Sequence, residues 1–466
     1  MATVLITGAA SGIGRAAATC FAANGWRCLL VDRNGEALQQ VLADVEALAP
    51  RAAESDGLRH EIRCIDLTDA QQIASLADLS GPIDAVINNA GMSDTSGVPL
   101  TEQAPQRQAA LAALNLAAPL AVVAALQSKL APRARIVNVA SGAGLRAIPF
   151  RGYYSATKAG LIAQSRALAQ ARPELAVTVL CPGFVRTELV ASLIAAGRLD
   201  ARQAVAKIPL GRMAEPAEMA EMMRFLASPG AAAISGQVLA LCGGSSIYGG
   251  SRVCDPATAA PLPMDMPLAL TVTGDAAGQW ADSLRADVQG ETTLLPQAAA
   301  TTAAQQPTAY PGVVDVSALQ AVMPGSISGS EVPGTLAIVH EAARRFAAQH
   351  ARDASLTILL PADYAAVDYA TADEPGRVRP GRVRPGHAGS SGDAASLADW
   401  RSAGDAAAAR MLIATLACEL APRALRVNAV EVSPGIRPEH LRPLLHTIAG
   451  ARAQFLTGQT LRACAA

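Results

Sequence analysis

Tyr154 and Lys158 stand four residues apart in the run Tyr-Ser-Ala-Thr-Lys. On a helix that spacing puts both side chains on one face, so a phenol and an ammonium can share a site. A free tyrosine titrates near pH ~10, and a neighbouring cation favours the phenolate and lowers that value. A drop of about 2–3 units corresponds to roughly 3–4 kcal/mol between the two protonation states. Such a pair can move a proton at an oxygen atom. The chain holds only three lysines, Lys129, Lys158 and Lys207, against 35 arginines. A lysine at 158 therefore fits a site that needs a compact ammonium rather than a planar fork. Tyr153 has no lysine four residues on and is read as packing or pocket wall.

A second constellation lies at the N-terminus. Residues 7–14 read Thr-Gly-Ala-Ala-Ser-Gly-Ile-Gly, directly after an apolar strand and at the start of a helix. Gly8 permits the tight turn, Gly12 lets the backbone approach a pyrophosphate, and Gly14 lets helix and strand pack closely. The helix N-terminus then offers free N–H groups and the positive end of its dipole. Asp32 closes the next strand, 18 residues after Gly14. There a carboxylate can bond the adenosine ribose hydroxyls and repel a 2′-phosphate. The expected cofactor is NAD(H) rather than NADP(H), with Arg33 the one neighbour that argues the other way.

These groups need elements to hold them. Apolar runs at 3–7, 27–32, 61–66, 83–88, 134–140, 176–181 and 237–242 alternate with helical stretches. Continuous apolar strands separated by helices predict an α/β chain with a Rossmann-like, doubly wound parallel sheet. Helices are expected over about 13–23 and 216–227. The stretch Gln108–Ser128 has 21 residues without a charge, near the length of a membrane span. It contains Asn115, Pro119 and much alanine, and is read as a buried helix of a soluble domain.

The pattern TGxxxGxG, the Asn-Asn-Ala-Gly run at 88–91 and the Tyr-x-x-x-Lys pair together resemble the short-chain dehydrogenase/reductase family over about residues 3–247. The resemblance implies a hydride-transferring oxidoreductase that interconverts a secondary alcohol and a ketone. It matches Asn115, Ser141, Tyr154 and Lys158 to the family's catalytic tetrad. Tyr154 would be the general acid/base and Ser141 would hold the substrate oxygen. Lys158 would bond the nicotinamide ribose, and Asn115 would position a water in a proton relay. The resemblance further assigns Gly8, Ser11, Gly12, Ile13 and Gly14, Asp32, Asp66 with Leu67, and Asn89, Ala90 and Gly91 to the cofactor. Pro182, Gly183, Val185 and Thr187 of the segment Cys-Pro-Gly-Phe-Val-Arg-Thr complete the set, with Thr187 on the carboxamide. Residues 188–212 would form the substrate lid. Cys242 stands before Gly243-Gly244, where the family usually carries an acidic residue.

Four prolines between Pro256 and Pro267 mark a linker. The chain is accordingly divided into 1–250, a linker 251–267, and 268–466. The end of the second unit repeats the end of the first: Pro216 to Gly236 and Pro438 to Gly458 have equal spacing, and Cys242 and Cys464 follow their glycines by six. A second, degenerate copy of the same fold is expected. Its turn reads Thr-Gly-Asp-Ala-Ala-Gly-Gln-Trp, with Trp280 in the third glycine's place and Asp275 facing the phosphates. Gln297 stands near the place of Asp32, and Ser402 and Ala406 stand where tyrosine and lysine would be. This unit is expected to bind no dinucleotide and to serve packing, as an intrachain pseudo-dimer, with further homo-oligomers expected because family members commonly assemble.

Composition narrows the partners. The charges, 38 basic against 39 acidic, argue against nucleic acid. Eight scattered cysteines form neither a disulfide framework nor a zinc ribbon. His340 and Glu341 lack a second histidine at Arg344, so no metal site is expected. No leader pattern precedes the first strand, which suggests a cytoplasmic protein. Arg146, Arg151 and Arg186 either face the pocket mouth, hinting at an anionic substrate, or are surface residues. The tandem Gly-Arg-Val-Arg-Pro at 376–385 is read as a surface loop, with anion binding as the alternative. Two other functions stay open: reduction of a 3-oxoacyl thioester with NADH, and a dinucleotide-sensing scaffold without turnover.

Overall fold

In the computed structural model, the residues described are 1–48, 59–94, 98, 102–146, 148, 151–250, 252–275, 278–285, 308–320, 335–362 and 407–464. Gln297, Ser402, Ala406 and the arginine repeat lie outside them.

The N-terminal unit is one parallel sheet in the order β3-β2-β1-β4-β5-β6-β7. Its strands are β1 (Thr3–Thr7), β2 (Arg27–Asp32), β3 (Glu61–Cys64), β4 (Ile83–Asn88), β5 (Leu130–Val139), β6 (Ala176–Pro182) and β7 (Val238–Leu241). Helices α1 (Gly12–Ala23), α2 (Gly35–Leu48), α3 (Ala70–Ala74), α4 (Pro105–Ala112), α5 (Ala118–Ala125), α6 (Gly152–Ala171), α7 (Glu188–Ala195), α8 (Ala201–Val205) and α9 (Pro216–Leu226) connect them. The sheet is covered on both faces, so β1 and β6 are buried at every position, which is why their sequences read as unbroken apolar runs. The strand order reverses between β1 and β4. That switch point opens a crevice at the carboxyl ends of the strands, where open α/β sheets bind ligands.

Several expected boundaries shift. β3 stops at Cys64, leaving Asp66 in a loop, because its carboxylate is bonded to Thr68 beyond it. β5 starts at Leu130, four residues early, through a register shift against β4. The uncharged 108–128 run is helical but not uniformly buried. Pro105–Ala125 is long and apolar enough to cross a membrane, yet only 33% of its window is buried. The inward residues are Leu111, Asn115, Ala118, Pro119, Val122 and Val123. Between α4 and α5 the helix widens into a π turn at Ala113–Ala117.

The C-terminal unit is a second parallel sheet, in the order β12-β11-β10-β9-β8. Its strands are β8 (Leu268–Thr273), β9 (Tyr310–Asp315), β10 (Ala354–Pro361), β11 (Leu425–Val432) and β12 (Thr460–Ala463). Helices α10 (Gln279–Arg285), α11 (Ser317–Gln320), α12 (Thr335–Gln349), α13 (407–420) and α14 (Pro438–Ala449) join them. The order repeats β7-β6-β5-β4-β1, without counterparts of β2 and β3 among the described residues. Arg426 is an anchor of this unit. It is 1% exposed and donates to the carbonyls of Ile448, Gly450, Ala453 and Leu456 and to the Tyr310 hydroxyl. Carbonyls left free at the end of α14 thereby stabilise a buried cation.

The two units share one apolar cluster. Met219, Met223 and Leu226 of α9 belong to it with Leu441, Leu445 and Ile448 of α14. The contacts are reciprocal: α9 packs on the turn Ala451–Ala453, and α14 packs on the turn Pro229–Ile234. Cys464 N donates to Ala233 O at 3.0 Å and Gly243 N donates to Phe455 O at 3.1 Å. Ala233 and Phe455 are 222 residues apart and Gly243 and Cys464 are 221 apart, so the two bonds join nearly corresponding positions of the units.

Candidate active site

The glycine turn is shaped by contacts that leave no space for a side chain. Gly8 has φ +66°, and a Cβ there would lie 2.8 Å from Ala90 Cα. At Gly14 a Cβ would lie 2.0 Å from Gly8 O. The Asn-Ala-Gly run secures the turn from β4. Thr7 Oγ1 accepts from Asn89 N (3.1 Å) and Ala90 N (3.0 Å), and Asn89 Nδ2 donates to Thr7 O and Gly8 O. Ser11 begins α1 without a side-chain cap. Ile13 packs partly buried on the core behind it. The Gly12 N–H is bonded instead by Glu188 Oε2 at 3.1 Å, a carboxylate standing where this N-terminus would take an anion. The cradle therefore fits a dinucleotide's phosphates.

Asp32 sits beside this turn. Its oxygens accept from Ala10 N (3.2 Å) and Asn34 N (3.0 Å). β3 ends against β2, with Ile65 N donating to Asp32 O. The Asp66 carboxyl, bonded by the Thr68 N–H and hydroxyl, is held below the usual carboxylate range. Leu67 is buried next to it in the apolar cluster under α5.

The proton-moving groups meet at Gly91. A Cβ built there would lie 3.1 Å from Asn115 Oδ1 and 3.2 Å from Lys158 Nζ, so the glycine is what lets β4, the π turn and α6 converge. Asn115 is fully buried and locked to the Met92 backbone, accepting its N–H and donating to its carbonyl, both at 2.9 Å. Its amide also reaches Thr157 Oγ1 at 3.3 Å, and Thr157 donates to Tyr154 O. Lys158 Nζ donates to Val139 O at 2.9 Å. Ser141 caps a short turn by accepting from Ala143 N, and its hydroxyl is close enough to the Tyr154 phenol to act on its proton affinity. Gly144 presses that turn onto α6: a Cβ there would lie 2.8 Å from Lys158 C.

The electrostatics reverse one expectation. Burial pushes the Tyr154 phenol up rather than down, although the Ser141 hydrogen bond and the Arg151 charge oppose it. Burial pushes Lys158 down to about 8. Taking a cation out of water costs more than its neighbours return, and Lys158 is turned onto Val139 O. The buried Cys181 thiol, at the end of β6, is pushed up to about 12 and stays neutral.

The Pro-Gly segment closes the far side. Gly183 lies against Cys242, whose Cβ would be 2.8 Å from an added side chain. Gly183 N donates to Leu241 O, continuing the line of β6 beyond Pro182. Cys242 Sγ bonds Ser246 Oγ at 3.1 Å, so this position makes a local turn contact in place of an acidic one. Val185 is buried and bridges to Ala214. Thr187 caps α7 through Val190 N and lies against Gly12, its Cγ2 3.4 Å from a Cβ built there. The three mouth arginines all have partners: Arg146 with Tyr248 O, Arg151 with Ser93 Oγ and Asp94 O, and Arg186 with Glu215. Arg146 and Arg186 are exposed and fit the surface reading, whereas Arg151 is half-buried and its charge acts on Tyr154. Met92, Thr157, Cys181 and Glu188 are site neighbours that sequence reasoning missed. Only Thr157, inside the Tyr-x-x-x-Lys run, was open to discovery from spacing.

The corresponding turn in the C-terminal unit keeps part of this geometry. Gly274 has φ +75°, and an added Cβ would lie 2.1 Å from Ser317 Oγ, a close approach like that of Gly8 to Ala90. Asp275 Oδ2 accepts from Ala281 N at 2.7 Å, which sets its carboxylate at the N-terminus of α10, the place that phosphates would take. Trp280 packs on the shared core. Asp315, where the first unit has Asn88, is buried and accepts from Thr273 Oγ1 and Ser317 N. Among the described residues, no group of three or more potential metal ligands occurs.

A family model described as enoyl-(acyl carrier protein) reductase matches residues 8–246. An uncharacterized short-chain type dehydrogenase/reductase of Sinorhizobium fredii is 36% identical over 247 residues, 52% of this chain. The matched part spans 43% of that relative's length. The 3-oxoacyl-[acyl-carrier-protein] reductase of Thermotoga maritima is 31% identical, over 52% of this chain and 96% of its own. The crystal structure of a variant of actinorhodin polyketide ketoreductase with NADPH is 29% identical, with TM-score 0.48, over 53% of this chain and 98% of its own.

Proposed function

We propose, from the premise that the chain belongs to the short-chain dehydrogenase/reductase family, that its N-terminal unit interconverts a secondary alcohol and a ketone with NAD(H). The observation that carries this is the meeting of Lys158 Nζ and Asn115 Oδ1 at Gly91, with the Ser141 hydroxyl near the Tyr154 phenol, beside a glycine cradle already holding a carboxylate. Gly8, Ser11, Gly12, Ile13 and Gly14 would hold the pyrophosphate, Asp32 the adenosine ribose, and Asp66 and Leu67 the adenine side. Asn89, Ala90, Gly91, Lys158 and the 182–187 segment would hold the nicotinamide half.

When bound, the dinucleotide supplies the hydride acceptor or donor at the carbinol carbon. The protein's own part is the proton. In oxidation the substrate hydroxyl proton passes to the Tyr154 oxygen while Ser141 bonds the same substrate oxygen. In reduction Tyr154 returns it. Anionic groups entering the cradle would raise the affinity of Lys158 for its proton, and the ammonium so held would then favour the phenolate. Asn115, held by Met92, fixes the widened turn and a route for water to the ammonium. Asp32 supports NAD over NADP through charge repulsion of a 2′-phosphate.

A second reading, NADH-dependent reduction of a 3-oxoacyl thioester, is favoured by the likeness to the 3-oxoacyl-[acyl-carrier-protein] reductase of Thermotoga maritima. For the C-terminal unit we propose a packing role, an internal pseudo-dimer partner without a dinucleotide of its own, in a cytoplasmic enzyme. The test is NADH formation from NAD across secondary alcohols, hydroxy acids, polyols and 3-hydroxyacyl thioesters, with Tyr154→Phe alongside. Turnover by the intact protein alone supports the dehydrogenase reading, and the responsive substrate decides between the two. Binding of NADH without turnover on any class favours a sensing scaffold.

A further inference from the structure

Residues 188–214 leave the sheet between the Pro-Gly segment and α9. The outgoing part is thinly embedded: α7 buries none of its residues, and Leu189 and Ile194 are exposed. The return is the opposite, with Ile208, Leu210, Met213 and Ala214 buried. Much of what holds the return comes from beyond the N-terminal sheet. Gly243 N donates to Phe455 O, and Leu210 N donates to Gly243 O, both at 3.1 Å. A Cβ on Gly243 would lie 2.7 Å from both Ile208 Cγ2 and Phe455 Cζ, so ring, glycine and return are in direct contact. The Arg212 guanidinium lies 4.7 Å from the Phe455 ring centre while gripping Glu218 with bonds of 2.7 and 2.8 Å. The linker holds the other side: Cys254 N donates to Ala206 O and Ala257 N to Gly211 O. The return then ties to the site, since Ala214 N donates to Phe184 O and Arg186 N to Ala214 O.

We propose that Phe455, in the C-terminal unit, is a positioning residue for the site of the N-terminal unit. It clamps the 206–214 return, and through Ala214 it fixes the 183–187 segment from which α7 swings. This rests on the reading of that site as a dehydrogenase/reductase centre. The C-terminal unit thus sets how tightly the 188–205 excursion closes on substrate.

The test compares the full chain with Phe455→Leu and Phe455→Ala. Leucine fills most of the buried volume and removes the ring beneath Arg212, so it guards against an alanine variant that fails to fold. Three readouts are taken: steady-state KM and kcat, NADH titration, and the rate of tryptic nicking after the exposed Arg198 and Arg202. For Phe455→Leu the substrate KM should rise about tenfold with kcat within about threefold, as expected for lost positioning. Nicking should quicken by a similar factor, without a matching fall in the folded fraction. Unchanged KM and nicking overturn the proposal, as does a fall in kcat at constant KM that tracks unfolding. If no substrate turns over in any form, that failure counts against the site reading alone, and nicking still decides the clamp.

Discussion

The Glu188 carboxylate accepts a hydrogen bond from the Gly12 backbone N–H at 3.1 Å. It belongs to the first turn of α7, and it reaches the N-terminus of α1, which Ser11 leaves uncapped. A phosphate oxygen would seek the same N–H and would meet a like charge there. Glu188→Gln should therefore bind NADH about three- to tenfold more tightly at low ionic strength, with the gap narrowing in salt. Fluorescence titration at two salt concentrations measures it; equal or weaker binding would contradict the competition.

Tyr154→Phe removes the proton-carrying oxygen and little else. Turnover should fall by about 10²–10⁴, the range of a lost general acid/base. NADH affinity should stay within about twofold, because the cradle is built from β1, α1 and β4. A variant that keeps most of its rate would show the base to be another group.

Burial places the Lys158 pKa at about 8 in the folded chain, against 10.5 for the free side chain. The sign follows from proton counts. Between those two values the unfolded chain holds a proton that the folded chain has released, so stability rises with pH through that window. Below it the charged amine costs about 3 kcal/mol. Denaturant titrations from about pH 7 to about pH 10.5 should show this rise for the native chain and a flatter profile for Lys158→Met. Parallel profiles would mean that another group carries the slope.

Asp32→Ser should move the ratio of NADPH to NADH affinity upward by about tenfold or more, since it removes the carboxylate facing a 2′-phosphate. Binding measurements on both cofactors test this without a known substrate. An unchanged ratio would place cofactor choice elsewhere, with Arg33 the first residue to examine.

Calorimetric titration should find one NADH site per chain. Trp280 stands where the first unit has its third cradle glycine, and the Asp275 carboxylate takes the α10 N-terminus. A second site of comparable affinity would refute this.

The glycine turn and the Tyr-x-x-x-Lys pair were legible because each is local. A four-residue spacing on a helix and a glycine after a strand mean the same thing in nearly any context. The doubly wound class was legible from its apolar runs, as was the repeat of the last helix and strand. Direction of charge was not. Lys158 is expected from spacing to lower the Tyr154 pKa, but in the fold burial raises Tyr154, the groups opposing that rise are Ser141 and Arg151, and Lys158 is turned onto Val139 O. The uncharged 108–128 run gave its helix but neither its π turn nor its partial exposure, since both depend on what packs beside Asn115.

The sequence by itself determined the parallel α/β class, the cradle glycines, Asp32 and the set Asn115, Ser141, Tyr154 and Lys158. These rest on side-chain type and short spacing, which a chain carries without folding. Only the tertiary structure decided that Glu188 reaches Gly12, that Asp275 takes the N-terminus of α10, and that Phe455 seats on Gly243 and Ile208. Each of those contacts depends on segments brought together by folding. Their positions follow from how two sheets bury one shared core, a through-space outcome that no local pattern encodes.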